Sequence, residues 1–381
     1  MSMHRMTRRA LEGCGALAVM AMAMAMVLVA SPGIAAAAAT DARAATADAA
    51  GGGAGEIHAE HLQGDIWLMT GEPGQSNVVV SVGDEGTLVV DTGAEAVAPR
   101  LLAAIQRLQE EHGGHLQAIR LIIDTDSRSD HIGGNAVVAA GGRTIIAGNF
   151  ARDAQSQGLN DAATVMANVN VLGHLVADNA QRSRNDPLLL PEAAVDGAVY
   201  NTYFNGEAVQ LLHPSNAATD DDTEVLFRRS DVFATGDTVD MRGYPLIDVA
   251  RNGTIDGELV ALNKIIEMAV SADKQEGGTL VVPGHGRLCD QSDVVHYKNT
   301  ITIIRNRVQH YKNEGKTLQQ VLALAPSADF DARWGATSGP WTTRDFIEAV
   351  YKTLPAKGPN FSMQTETVVG NQTGRMPGQV F

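Results

Sequence analysis

The sequence predicts an α/β fold in which β-sheets are covered by helices. Short apolar runs rich in β-branched residues recur through residues 57–290, and each ends in turn residues, which is typical of strands. Segments with helical spacing of apolar residues lie between some of these runs. Of the 381 residues, 44% are hydrophobic, which is enough for one large core or two smaller ones. The mixed order of strands and helices therefore favours an α/β fold over a helical bundle.

The predicted strands share a short length and a turn signal at their carboxyl end. They are Ile66–Met69, Asn77–Val82, Thr87–Val90, Leu121–Ile123, Thr144–Ala147, Ala208–Leu212, Glu224–Phe227, Val232–Ala234 and Thr279–Val282.

Helices are predicted on both sides of residue 290. Leu101, Ile105 and Leu108 share one face of a helix that ends before Gly113. Leu259, Leu262 and Ile266 mark a second helix by the same spacing.

Beyond residue 290 the sequence becomes mainly helical. Residues 294–313 predict one long helix, and Thr317 with Gln320 has the spacing of a capping box that begins another. Residues 343–354 predict a third helix, which Pro355 would stop.

The first 39 residues predict a secretory signal peptide. Arg5, Arg8 and Arg9 precede a long apolar run, and small residues suited to cleavage follow it. Residues 7–11 partly resemble a twin-arginine export signal, and the general secretory route remains open. We therefore expect an exported protein, periplasmic or extracellular, with no stable membrane insertion after cleavage. The alternative is a retained membrane anchor.

The predicted organisation of the chain has five parts. They are a signal peptide (1–39), a flexible Ala/Gly-rich linker (40–56), an α/β domain (57–290), a helical extension (291–357) and a mobile polar tail (358–381).

The chain is acidic, with a formal net charge of −15. Cleavage after residue 39 would remove three arginines and one glutamate, so the mature chain would be more acidic still. This charge argues against nucleic acid and anionic membranes as partners. Only Cys289 would remain, which excludes an internal disulfide and favours a packed thiol.

Four polar clusters directly follow predicted strands. Loops at strand ends in α/β folds can converge on a ligand, and carboxylates with imidazoles suit Zn²⁺, Mn²⁺ or Fe²⁺. The clusters are Asp91–Gly93, Asp124–Asn135, Gly236-Asp237 and Pro283–Gly286.

The order of these clusters resembles the metallo-β-lactamase superfamily, across roughly residues 57–286. The resemblance implies a four-layer αβ/βα sandwich, here with the C-terminal helical extension. The motif of that superfamily is His-x-His-x-Asp-His, followed by a distant histidine, a bridging aspartate and a final histidine. Asp130-His131, Asp237 and His285 match the Asp-His pair, the bridging aspartate and the final histidine of this motif.

The three remaining histidine positions of the motif are occupied by other residues. Asp126 and Arg128 stand at the first two histidine positions, and Ala218 stands at the third. In the superfamily scheme these three histidines serve one metal ion. The resemblance thus implies one divalent ion, zinc first among candidates, bound by Asp130, His131, Asp237 and His285. The alternative is a vestigial site in which the four residues only form hydrogen bonds.

Arg128 has two interpretations. It could bind a substrate carboxylate or stabilise an oxyanion, beside Asp130 or Asp237 as proton acceptor, because a guanidinium is always charged. It could equally form only a salt bridge to Asp126 or Asp130.

We therefore expect an exported metal-dependent hydrolase with a single ion. Its substrate would be a small molecule, anionic if Arg128 binds it, with an ester, lactone, thioester or amide bond. The alternatives are a non-catalytic binding protein for an anionic ligand and a purely structural relative.

Overall fold

Two β-sheets face each other at the centre of the protein. The computed structural model describes residues 55–71, 75–112, 118–144, 162–182, 190–274 and 277–358. Within these ranges, the first sheet contains strands β1 to β7 in that order, antiparallel from β1 to β4 and parallel from β4 to β7. Its strands are β1 (His58–His61), β2 (Ile66–Thr70), β3 (Val78–Gly83), β4 (Gly86–Val90), β5 (Ile119–Ile123), β6 (Thr164–Asn168) and β7 (Ala193–Val195).

The second sheet has the order β12-β11-β10-β9-β8. Its strands are antiparallel except for the parallel pair β11 and β12. They are β8 (Val199–Phe204), β9 (Glu207–Leu212), β10 (Glu224–Phe227), β11 (Val232–Ala234) and β12 (Leu280–Val282).

Helices cover the outer faces of both sheets. Among the described residues, the helices of four or more residues are α1 (Ala98–His112), α2 (Ser129–Ile132), α3 (Asn135–Ala140), α4 (Val169–Arg182), α5 (Ile255–Met268), α6 (Gln291–Asn313), α7 (Leu318–Ala323), α8 (Asp331–Trp334) and α9 (Thr343–Thr353).

Three apolar clusters define the layers. Side chains of both sheets, such as Leu88 and Phe227, pack together between the sheets. Val80 on the other face of the first sheet packs with Ile105 of α1, and Phe233 of the second sheet packs with α5, α6 and α9. The order is thus helix, sheet, sheet, helix, which confirms the predicted αβ/βα sandwich.

Burial on both faces explains why the central strands read as continuous apolar runs. In β3, Val78 and Val80 face the helical layer, while Val79 faces the opposite sheet. Strands buried on both sides lose the alternation of polar and apolar residues. The sequence could therefore indicate these strands by composition and length alone.

Three of the four described helices beyond residue 290 begin at capping boxes. Asp290 with Asp293, Thr317 with Gln320 and Thr342 with Asp345 satisfy the first backbone groups of α6, α7 and α9. The predicted box at Thr317 is therefore confirmed. α6 begins at Gln291, three residues before the predicted start, because its cap precedes the apolar stripe that starts at Val294.

Several elements were not predicted. They include β1, β6, β7, β8 and α4, and of these β1 and β8 are largely exposed and so present no apolar run. The predicted strand Thr144–Ala147 is not observed at Thr144, and its other residues lie outside the described ranges.

The predicted signal peptide, most of the linker and nearly all of the tail also lie outside the described ranges. Among the helices that are described, none combines the length and the apolar character needed to span a bilayer. The domain boundaries given above stay predictions.

Candidate metal centre

The ends of four strands bring the predicted polar clusters together. β4 and β5 are parallel neighbours, as are β11 and β12, so each pair delivers two loops to one edge of its sheet. Asn77 joins the two edges, because its backbone N–H donates to Gly284 over 2.8 Å and its side-chain amide donates to Pro283 over 2.8 Å. The loops from the two sheets therefore meet at one site.

His131 is fully buried in α2 and oriented by Asp91. The Nδ1 of His131 lies 2.8 Å from Asp91 Oδ2. The other hydrogen bonds to this carboxylate come from the backbone N–H and the hydroxyl of Thr125, at 2.8 and 2.7 Å. The Nε2 of His131 has no hydrogen-bond partner among the described residues and lies 3.2 Å from Asp237 Oδ1.

His285 is oriented in the same way by the backbone. Its Nδ1 donates to the carbonyl oxygen of Gln75 over 3.1 Å. Its Nε2 lies 3.3 Å from Asp130 Oδ2 and 3.5 Å from Asp237 Oδ1. The rings of His285 and His131 are 5.1 Å apart and nearly perpendicular, so both present Nε2 to the same carboxylate oxygen.

Glycines on either side of His285 permit this approach. A Cβ at Gly284 would lie 2.7 Å from the carbonyl carbon of Gly236, and closer still to Asp237 Oδ1. Gly286 has a φ of +92°, a conformation that favours glycine. Residues with side chains at these positions would displace the Asp237 loop.

The two carboxylates of the centre differ in exposure. Asp237 is buried, whereas the side chain of Asp130 is 46% exposed and is the part of the centre that reaches solvent. Burial acts to raise the pKa of Asp130, but the hydrogen bond from His285 and the charge of His131 lower it to about 2. Burial likewise opposes ionisation of Asp237, but Arg128 above all holds its pKa well below the usual range. Both groups are thus carboxylates at neutral pH.

His131 carries the opposite shift. Burial acts to lower its pKa, but Asp126, Asp237 and Asp91 raise the pKa well above the usual range. Three carboxylates around one imidazole form a site that favours positive charge.

Arg128 lies between Asp126 and Asp237. Its backbone N–H and Nε donate to Asp126 over 2.7 and 2.9 Å, and its Nη2 lies 2.8 Å from Asp126 Oδ2. The same Nη2 forms an ion pair with Asp237 Oδ2. Both terminal nitrogens of Arg128 are buried. The predicted salt bridge between Arg128 and Asp126 is therefore present. The second carboxylate that pairs with Arg128 is Asp237, not Asp130.

The side chains at this site form two overlapping groups that could hold a metal ion. One contains Asp130, His131 and His285, and the other contains Asp126, His131 and Asp237. Within each group the ligand atoms lie within 4.8 Å of one another. Together they bring all four predicted ligands, and Arg128, to one place.

The residues of the centre fit a divalent ion. Both imidazoles bind protein oxygen through Nδ1, which leaves Nε2 available as a ligand, and such outer partners are usual for metal-binding histidines. His131 Nε2 and Asp237 Oδ1 are buried polar atoms without a hydrogen-bond partner among the described residues. An ion bound between them would satisfy both atoms.

The loop at the third histidine position was only partly predicted. Ala218 is buried, and the acidic run Asp220-Asp221-Asp222 beside it in the sequence predicts a solvated loop. That expectation is wrong for Asp221 and Asp222, which are buried and accept hydrogen bonds from Thr219. Burial raises the pKa of Asp222 to about 8. The described contacts of these aspartates include none to His131 or His285.

Other histidines around this loop have structural contacts. His213 Nδ1 donates to the backbone oxygen of Asp222 over 2.7 Å, which is a structural contact. His174 of α4 lies 2.6 Å from Asp220 Oδ1, and no sequence pattern indicated this pair because α4 was not predicted.

Sequence reasoning also missed contacts that position the ligands. The Gln75 carbonyl orients His285, and the Ser76 hydroxyl donates to the Asp130 carbonyl over 2.6 Å. In both contacts a side chain donates to a backbone oxygen of a residue far away in the sequence, so no local motif indicates them.

Comparison with known proteins identifies the fold. No protein-family model matches the sequence, and a search of curated proteins found no match. Among solved structures, a stereoselective inverting sec-alkylsulfatase from a Pseudomonas species aligns with a TM-score of 0.54 at 15% identity, over 78% of this chain and 50% of its own. A metallo-β-lactamase from Pontibacter korlensis aligns with a TM-score of 0.45 at 16% identity, over 65% of this chain and 99% of its own.

This protein has the metallo-β-lactamase fold. The layer order, the ordered polar clusters and the structural alignments agree on it. The low identity fits a divergent form whose His-x-His-x-Asp-His motif reads Asp126-x-Arg128-x-Asp130-His131. The chain spans half the length of the alkylsulfatase that it matches.

Proposed function

We propose that this protein is a metal-dependent hydrolase that uses one divalent ion bound by Asp130, His131, Asp237 and His285. The observation that carries the proposal is the paired orientation of two imidazoles, each bonded through Nδ1 and each presenting Nε2 to Asp237 Oδ1. Zinc is our first candidate, because two imidazoles and two carboxylates with room for water suit its coordination.

When bound, a divalent ion supplies Lewis acidity and lowers the pKa of a water molecule. Asp130 is the group suited to accept a proton from the attacking water, since it is ionised and its side chain is 46% exposed. Asp237 is less suited, because it is buried and its Oδ2 is paired with Arg128. We therefore assign proton transfer to Asp130 in addition to its role as a ligand, and ion binding alone to Asp237.

The substrate that we propose is a small molecule with an ester, lactone, thioester or amide bond. The alkylsulfatase is a hydrolase by its name, which supports hydrolysis as the general reaction. The acidic surface disfavours nucleic acids as substrates.

The binding-protein alternative receives no specific support. It required Arg128 to bind an anionic ligand, but the guanidinium is paired with two carboxylates and its terminal nitrogens are buried. Its Nη1 has no hydrogen-bond partner among the described residues, but that atom is buried, so an anion could reach it only after the surrounding side chains had rearranged.

Metal content and turnover test the proposal together. The full chain, produced through its own export route, should carry about one zinc per chain by elemental analysis. It should also hydrolyse at least one of a panel of nitrophenyl esters, lactones and thioesters. His285→Ala should lose both properties, whereas His296→Ala, at an exposed position of α6, should keep both. A folded protein that neither carries nor takes up a transition metal would refute the proposal.

We also propose that the protein is exported. The support is the order of basic, apolar and small residues in the first 39 residues. Mass spectrometry of the protein from its source should show an N-terminus near residue 40, outside the cytoplasm. A cytoplasmic protein with its first 39 residues intact would contradict export.

A further inference from the structure

A buried ion cluster lies beside the candidate metal centre. We call Asp126, Arg128 and Asp237 the Arg128 cluster. The side chains are 1%, 15% and 7% exposed, so all three charges are largely removed from solvent. Buried carboxylates of this kind need a cation close to them.

Without Arg128, this cluster would resemble a second metal site. Asp126, His131 and Asp237 place ligand atoms within 4.8 Å of one another, and all three residues are buried. The cation that is present there is the guanidinium, whose Nη2 contacts both Asp126 and Asp237. Arg128 therefore already provides the charge that an ion would bring to this group.

The two carboxylate oxygens of Asp237 face different groups, one the guanidinium of Arg128 and the other the candidate metal centre. Its Oδ2 is paired with Arg128, whereas its Oδ1 faces the Nε2 atoms of His131 and His285 at 3.2 and 3.5 Å. One carboxylate thus links the guanidinium to the candidate metal centre, as a bridging ligand would link two ions.

We propose that Arg128 takes the place of a second metal ion, so that the protein binds one divalent ion at the Asp130 side and none at the Asp126 side. The proposal rests on the proposed function, since it presumes an ion at the first position. A guanidinium stays charged at every pH at which the protein is folded, so the replacement is permanent. Arg128 is a positioning residue, because it acts through Asp237.

Zinc titration of matched variants tests this role. Calorimetry and native mass spectrometry of the full chain should give one zinc per chain for the unmodified protein. Arg128→Lys keeps the positive charge and should also bind one. Arg128→His adds a neutral ligand between Asp126 and Asp237, and it should bind two. A purely structural role for Arg128 would leave the zinc count at one in every variant that folds.

The outcomes separate this inference from the proposed function. When the unmodified protein binds one zinc, one zinc in Arg128→His, or two in Arg128→Lys, would overturn the role of Arg128. If the unmodified protein binds no zinc, the proposed function fails, yet one zinc in Arg128→His would still support the cluster inference.

A second variant covers the case in which Arg128→His does not fold. Arg128→Gln removes the guanidinium that pairs with two buried carboxylates, so its unfolding temperature in chelator should fall below that of the unmodified protein. Added zinc should restore it by binding at the Asp126 side. An Arg128→Gln variant as stable in chelator as the unmodified protein would contradict the inference.

Discussion

Each histidine of the candidate metal centre depends on one hydrogen bond at its Nδ1. For His131 the partner is the Asp91 carboxylate, which Thr125 bonds twice. The sequence placed Asp91 at a strand end but did not give its partner. That pairing arises because β4 and β5 lie side by side, which is a long-range property.

Asp91→Asn should weaken metal binding without unfolding the protein. The amide keeps the size of the carboxylate but removes the charge that fixes the tautomer of His131, and loss of such a partner typically costs ~10–100-fold in metal affinity. Competition against a chelator measures the affinity. Asp84→Asn, at an exposed turn, is the matched control and should bind zinc like the unmodified protein. Equal affinity in both variants would contradict the role given to Asp91.

Cys289 should be unreactive in the folded protein. It is buried in the core of the second helical layer, and burial raises the pKa of its thiol to about 12. The thiolate, which is the reactive form, is therefore scarce at pH 8. In full-length Cys14→Ser protein, a thiol reagent should label Cys289 only after denaturant is added. Rapid labelling of the native protein would show that the thiol is accessible.

At the scale of elements, the site depends on turns that follow strands. The sequence predicted the four strands that precede the polar clusters at Asp91, Asp124, Gly236 and Pro283. An apolar run followed by a polar cluster is a local pattern. The sequence could not predict that β8 forms an edge of the second sheet. This strand is largely exposed, so its sequence contains no apolar run, and its pairing with β9 is a tertiary contact.

Gly284→Ala should disrupt the metal centre more than the fold. The added methyl would press on the Gly236 backbone and on Asp237 Oδ1, so we expect zinc affinity to fall at least tenfold. Gly173→Ala in α4 has open space around its Cβ and should leave zinc affinity unchanged, with helix stability raised by up to ~1 kcal/mol. If Gly284→Ala bound zinc as tightly as Gly173→Ala, the close approach of these loops would be wrong.

For the whole molecule, the helices beyond residue 290 complete the outer layer of the second sheet. α6 and α9 contribute Ile301 and Phe346 to the same apolar cluster as Phe233 of β11. The sequence predicted these helices from their caps and spacing. Their packing against the sheet is a tertiary contact that no local pattern contains.

Neighbouring isoleucines of α6 should therefore differ in their effect on stability. Ile301 is fully buried, so Ile301→Ala should lower the free energy of unfolding by ~2–5 kcal/mol. Ile303 is 42% exposed, so Ile303→Ala should change it by less than ~1 kcal/mol. Chemical denaturation measures both. Similar values would mean that α6 does not pack as described.

One metal ion should bind at the Asp130 side of Asp237 while Arg128 occupies the other side. Anomalous X-ray scattering from zinc-soaked crystals of the protein would locate that ion. We predict one anomalous peak within ~2.0–2.2 Å of ligand atoms from His131, His285, Asp130 and Asp237. A peak between Asp126 and Asp237 with Arg128 displaced, or no peak near His131 and His285, would contradict the account.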